Sequence, residues 1–129
     1  MSHFDHEKLD VYHAAIDFVI LGNEIIRHLP RGNSNIADQL QRAMISIPLN
    51  VAEGSGEYCR SDKARFYRYA KRSATECAAI LDACKSLDLV DSSRFESGRD
   101  LLYRIVAMII RMVRQYEKPG TGTRAGTGT

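Results

Sequence analysis

The sequence predicts an all-α fold, an antiparallel up-down-up-down four-helix bundle, on three observations. Four stretches place apolar residues at 3.6-residue spacing, so each would bury one face as a helix. The connections between them are short and carry Pro, Gly, Ser and Asp, which makes consecutive helices antiparallel neighbours. No stretch alternates apolar and polar residues as a half-buried strand does. The bundle is expected over residues 1–118 and a flexible Gly/Thr-rich tail over residues 119–129.

The first helix is expected from about Glu7 to Leu29 and stops at Pro30-Arg31-Gly32, where proline cannot continue the hydrogen-bond ladder. Ser34 is the expected N-cap of the second, which ends at Gly54 in a left-handed C-terminal conformation. On its wheel Ile36, Leu40, Ala43, Ile47 and Val51 form one apolar arc and Ile45, Leu49 and Ala52 a second, with Pro48 expected to kink it. After a loop from Ser55 to Arg60, Ser61 and Asp62 open the third helix, whose expected core arc is Phe66, Tyr69, Ala70, Ser73, Cys77, Ile80, Cys84 and Leu87. Ser93 and Glu96, in capping-box spacing, open the fourth, with Leu102, Ile105, Met108, Ile109 and Met112 on one side. After Lys118 the run PGTGTRAGTGT has no large apolar residue to offset its ordering entropy.

A chain of 129 residues is long enough to bury a core without disulfides or a structural metal, and 44% hydrophobic with 26% charged residues is an ordinary globular composition. Three cysteines, Cys59, Cys77 and Cys84, form no CxxC pair, which fits a reducing, cytoplasmic setting. The polar start MSHFDHEKLD has no signal-peptide apolar region, and the apolar runs are too short and too charged to span a bilayer, so no membrane association is expected.

The formal charge is only +2, but it is unevenly placed. Asp5 to Leu29 holds five acidic residues against Lys8 and Arg27, whereas Arg60 to Arg72 holds six basic residues against Asp62. Arg65, Arg68, Lys71 and Arg72 lie along the third helix, and Arg104 and Arg111 along the fourth. Such rows can hold a phosphate backbone without reading bases, which makes RNA or DNA a candidate partner; the alternative is a solvated, salt-bridged surface. Phe66 and Tyr69 are expected to pack inside, leaving Tyr58 and Tyr67 for outward contacts.

A polar cluster is expected where the second and third helices meet, from Gln39, Ser46, Asn50 and Glu53 on one and Ser73 and Glu76 on the other. Its favoured role is structural, each group satisfying its neighbours; a small-molecule or metal site on Glu53 and Glu76 is the alternative, although bundle metal sites ordinarily add Glu-x-x-His, a motif not found in this chain. The four histidines, His3, His6, His13 and His28, are dispersed, no nucleophile context is visible, and no catalytic residue, metal or cofactor is assigned. The apolar stripes of the first two helices exceed the arc of about 100° that a bundle core needs, so self-association is expected through Phe18, Ile45 and Leu49.

Three runs carry a family resemblance: Gln39-Leu-x-Arg42-Ala43, then Ser46-Ile47-Pro48-x-Asn50-Val51-Ala52-Glu53-Gly54, then Phe66-x-x-x-Ala70-x-x-Ser73-x-x-Glu76. Over roughly Phe4 to Tyr116 the chain resembles the bacterial four helix bundle proteins encoded within intervening sequences of large-subunit ribosomal RNA genes. The resemblance implies a bundle assembling as a ring-shaped homopentamer with a basic surface and no enzymatic activity. The family is similar to the accessory protein of diversity-generating retroelements, which implies nucleic acid and a reverse transcriptase, or another protein, as partners. Gln41-Arg42 stands where relatives often carry two adjacent arginines, so Arg42 is carried over alone as a basic contact.

Overall fold

The computed structural model describes residues 4–117. The Gly/Thr-rich segment expected as a tail lies outside the described residues. A 3-10 turn, Asp5–Lys8, precedes four helices: α1 (Asp10–Arg27), α2 (Ser34–Gly56), α3 (Arg60–Ser86) and α4 (Ser92–Glu117). Among the described residues there is no strand, and no helix is long and apolar enough to cross a membrane. Each helix packs against two neighbours in the cyclic order α1, α2, α3, α4. Fully buried Phe18, Leu40, Ile47, Val51, Leu81, Ile105 and Ile109 share one core.

The core of α3 differs from the expected arc. Tyr67, Ala70, Ala74, Cys77, Leu81 and Cys84 are buried, whereas Tyr69 is 36% and Leu87 61% exposed. The buried set follows steps of three and four, the heptad seam of paired helices, and its small members let neighbouring backbones approach. Leu87 leaves the core because the helix ends there. Leu89 N–H donates to Cys84 C=O (2.8 Å) and Asp88 N–H to Lys85 C=O (3.1 Å), with Asp88 at φ 59°. This Schellman closure turns Leu89 and Val90 inward in place of Leu87.

Helix ends differ from expectation for local reasons. Leu9 is extended (φ −93°, ψ 127°) and packs on the core, dividing the expected first helix into a 3-10 turn and α1. Helix α2 starts at Ser34 after Asn33, runs unbroken through the buried Pro48 and continues past Gly54. Gly54 is not a left-handed cap; a Cβ there would stand 2.6 Å from Tyr67 Cε1, so glycine admits the ring. Cys59 and not Ser61 precedes α3. At the start of α4 the expected Ser93 box is replaced by Asp91, whose Oδ1 accepts the Arg94 N–H (2.8 Å) and whose Oδ2 accepts Arg94 Nη1–H (2.6 Å). These bonds, the backbone one foremost, hold the Asp91 carboxyl below its ordinary range.

Candidate nucleic-acid interface

Ser46 and Asn50 sit one turn apart on α2 and face Ser73 on α3. Asn50 Nδ2 donates to Ser46 C=O and Oγ, both at 2.9 Å, and Ser73 Oγ–H donates to Ser46 Oγ at 2.8 Å. A serine at each crossing point keeps the helices close and supplies mutual partners for half-buried hydroxyls. The expected six-residue cluster therefore contracts to three. Gln39, Glu53 and Glu76 are exposed and make no side-chain hydrogen bond among the described residues. A carboxylate that can reach water keeps its hydration shell instead of entering a helix seam. Among the described residues no three His, Cys, Asp or Glu side chains converge on a metal position.

The three expected interface residues part company. Phe18 is fully buried in the chain's own core, so it cannot reach a second subunit in this fold. Much of the excess apolar arc on α1 is consumed internally, with Val11, Ala14, Ala15 and Ile25 also inside. Ile45 and Leu49 are 39% and 60% exposed. They line an open groove of about 680 Å³ on α2 together with Asp38, Gln41, Arg42, Ser46 and Asn50. Ile20 on α1 is exposed as well.

The seven basic candidates do not form one patch. Arg65 pairs with Asp62 at 3.3 Å and stands over the Phe66 ring at 5.0 Å, and Arg68 pairs with Glu117. Arg72 stands over the Tyr69 ring at 5.4 Å. Arg42, Lys71 and Arg72 have no ion-pair partner among the described residues. Arg104 and Arg111 instead line the groove between α1 and α4, beside Asp10 and Asp17. In the cyclic helix order that groove is opposite the α2–α3 seam. One helical sequence pattern thus yields an α3-centred basic face and a separate groove of mixed charge.

Two cations that the basic run included have structural duties. Lys63 Nζ donates to the carbonyls of Ser55 (3.0 Å) and Gly54 (3.3 Å), closing the end of α2, and Arg60 donates to the Gln115 carbonyl near the end of α4. Tyr67, expected to face outward, is 2% exposed; burial, then the neighbouring Tyr116 and Asp5, push its phenol up to about 12. Burial, then the Glu76 charge, push the Cys77 thiol up to about 12 as well, so it stays protonated and unreactive at neutral pH. The heptad spacing from Tyr67 through Cys84 was the signal that could have placed Tyr67 inside and Phe66 and Tyr69 near the surface.

Residues 7–111 match the family described as 23S rRNA-intervening sequence protein, and the chain belongs to that family. Among solved structures, it is similar to a protein of unknown function from the S23 ribosomal protein family of Bacteroides thetaiotaomicron, with a TM-score of 0.75 and 18% identity over 81% of this chain and 98% of that one. At that identity the likeness speaks for the fold alone. No curated protein matches the chain.

Proposed function

Proceeding from that family membership, we propose that the chain is a non-enzymatic, cytoplasmic bundle that self-associates as a ring-shaped homopentamer and binds RNA or DNA without sequence preference. The observation that carries this reading is the α3-centred basic face, where exposed Lys71 and Arg72 have no acidic partner among the described residues. Arg65 and Arg68 are half exposed, and their single surface pairs are weak enough to be exchanged for phosphates. Arg42 adds charge from α2, whereas Arg104 and Arg111 would meet a strand only along the α1–α4 groove. The antiparallel sense of the bundle is part of the reading. It is supported by Arg60 reaching from the start of α3 to Gln115 near the end of α4, and by Arg99 early in α4 pairing with Asp82 late in α3 at 2.7 Å.

Self-association draws support from the Ile45–Leu49 groove, since exposed apolar residues rimmed by polar ones mark interaction surfaces. The same groove supports a second reading, a scaffold for a protein partner such as a reverse transcriptase. The test is salt-titrated fluorescence anisotropy with single-stranded and duplex oligonucleotides, using wild type and K71E/R72E, with light scattering on the same samples. Wild type is expected to be oligomeric and to bind with affinity falling steeply as salt rises, because phosphate contacts release counterions. The double variant is expected to stay oligomeric and lose binding. Each neutralised contact flattens the log–log salt slope by about one unit. Equal affinity for both proteins, or binding indifferent to salt, refutes the nucleic-acid reading; a monomeric wild type refutes the ring.

A further inference from the structure

The end of the bundle where α3 begins and α4 finishes contains a cavity of about 420 Å³ between α1, α3 and α4. That lies within the range of about 300–1,000 Å³ typical of small-ligand pockets. Met108, Met112 and Tyr116 supply soft and aromatic walls, while Asp10, Arg111 and Tyr67 supply polar groups. Tyr67 is the unusual member. It is 2% exposed, yet its hydroxyl makes no hydrogen bond among the described residues. Buried hydroxyls ordinarily have a partner, and one left without it destabilises the fold. One edge of the ring is held against Gly54, and its centroid is 5.9 Å from that of Tyr116, with the rings at 47°. The phenol stays protonated at neutral pH, so it is a hydrogen-bond donor in the cavity wall.

A ligand completing this site needs a flat, polarizable body for the methionines and tyrosine, an acceptor atom for Tyr67 and an anionic group for Arg111. An exocyclic amine would suit Asp10. A hydrocarbon leaves the hydroxyl unpartnered, and a small aliphatic acid leaves the aromatic wall unused. Arg60 and Lys63, 5.5 and 5.8 Å from the Tyr116 ring centroid, add positive potential around the same ring. We propose that this cavity binds a nucleotide, with the base against Met108, Met112 and Tyr116, a ring acceptor taking the Tyr67 hydroxyl hydrogen bond, and the phosphate on Arg111. The nucleotide is either free or an unstacked residue of a bound strand; the second source rests on the nucleic-acid reading above, the first does not.

The test is methyl NMR on the full chain, in which Met108 and Met112 report on the cavity and Met44, buried against α1, serves as the internal control. Adenosine monophosphate is expected to shift the Met108 and Met112 signals saturably and leave Met44 in place, whereas ribose 5-phosphate shifts neither. Y67F keeps the ring and removes the unpartnered hydroxyl. It is expected to raise Tm by about 3–6 °C while weakening adenosine monophosphate binding about 3–10-fold. Unmoved Met108 and Met112 signals at millimolar nucleotide overturn the proposal. So do equal shifts with ribose 5-phosphate, or an unchanged affinity and a Tm no higher in Y67F, the result of a structural water on the hydroxyl. A deoxyadenosine decamer separates the two sources. Salt-dependent decamer binding that leaves the cavity methyls unmoved refutes the strand source and keeps the surface reading, and the free-nucleotide source then stands or falls on the adenosine monophosphate shifts. Nucleotide shifts without decamer binding keep the cavity and refute the surface.

Discussion

The two ends of the bundle are built on different principles. Where α1 finishes, α3 closes and α4 begins, charges meet their opposites. Arg94 bridges Asp91 and Glu24 at 2.6 and 3.1 Å, Arg99 pairs with Asp82, and Lys85 Nζ donates to Ser92 Oγ at 2.8 Å. At the other end Arg68 pairs with Glu117, but Arg60, Lys63 and Arg111 gather around Tyr116 and the Tyr67 cavity with no ion-pair partner among the described residues. The first end is a latch whose polar groups satisfy one another. The second keeps positive charge, with Arg60 and Lys63 on helix-end carbonyls, and an unpartnered hydroxyl that costs stability and suits a ligand. Charge counted along the chain gives no hint of this division, because it depends on which loop meets which helix terminus.

The largest effect should come from the core that both ends share. Phe18→Ala is expected to lower unfolding free energy by about 3–5 kcal/mol, as for other large-to-alanine changes in packed cores. Denaturant titration measures it, and the fraction that remains folded should keep the wild-type mass by light scattering. Dissociation without loss of stability would return Phe18 to an interface.

Next in size is a pair of glycines, one towards each end. A Cβ at Gly54 would press on the rigid Tyr67 ring at 2.6 Å, whereas one at Gly98 would meet only a terminal methyl, Leu81 Cδ1, at 2.7 Å. Gly54→Ala is expected to cost about 1–3 kcal/mol through overpacking. Gly98→Ala should be close to neutral, since rotation of Leu81 and the gain of helix propensity, about 1 kcal/mol, offset the crowding. Equal denaturation midpoints for the two variants would break the distinction between the tyrosine end and the leucine end.

The smallest effect is a pH dependence confined to the latch. The folded-state pKa of Asp91 lies below the ordinary value of 3.8, so its contribution is fully present above that value and fades as pH falls through the lower folded pKa. Hydrogen exchange at the first turn of α4 should therefore accelerate below about pH 4 in wild type. D91N, which cannot ionise, should exchange faster than wild type at neutral pH and lose the acid dependence. An unchanged pH profile in D91N would assign the effect to other carboxylates.

Much of the architecture is legible in the sequence. The α2 residues Leu40, Ala43, Ile47 and Val51 are buried as their spacing indicates, and the breaks at Pro30-Arg31-Gly32 and after Gly54 fall within a few residues of the helix ends. The candidate site was less legible. Ser46, Asn50 and Ser73 come together, but Glu53 and Glu76 stay in water and Arg104 and Arg111 go to another groove. Long side chains tolerate many positions at a helix edge, so a wheel locates their Cα atoms without deciding their partners.

By itself the sequence determined four helices, their approximate limits and a family, because apolar periodicity, helix breakers and the Ser46-to-Gly54 run are local or nearly local signals. Only the tertiary structure decided that Tyr67 points inward and Phe66 and Tyr69 towards the surface, that Phe18 belongs to the core, and that one end of the bundle is latched while the other holds a cavity. A helix can turn by some tens of degrees about its axis without changing its own hydrogen bonds. Its final setting is chosen by the neighbour, here by Gly54 admitting one tyrosine ring and by small residues on α3 bringing the backbones close.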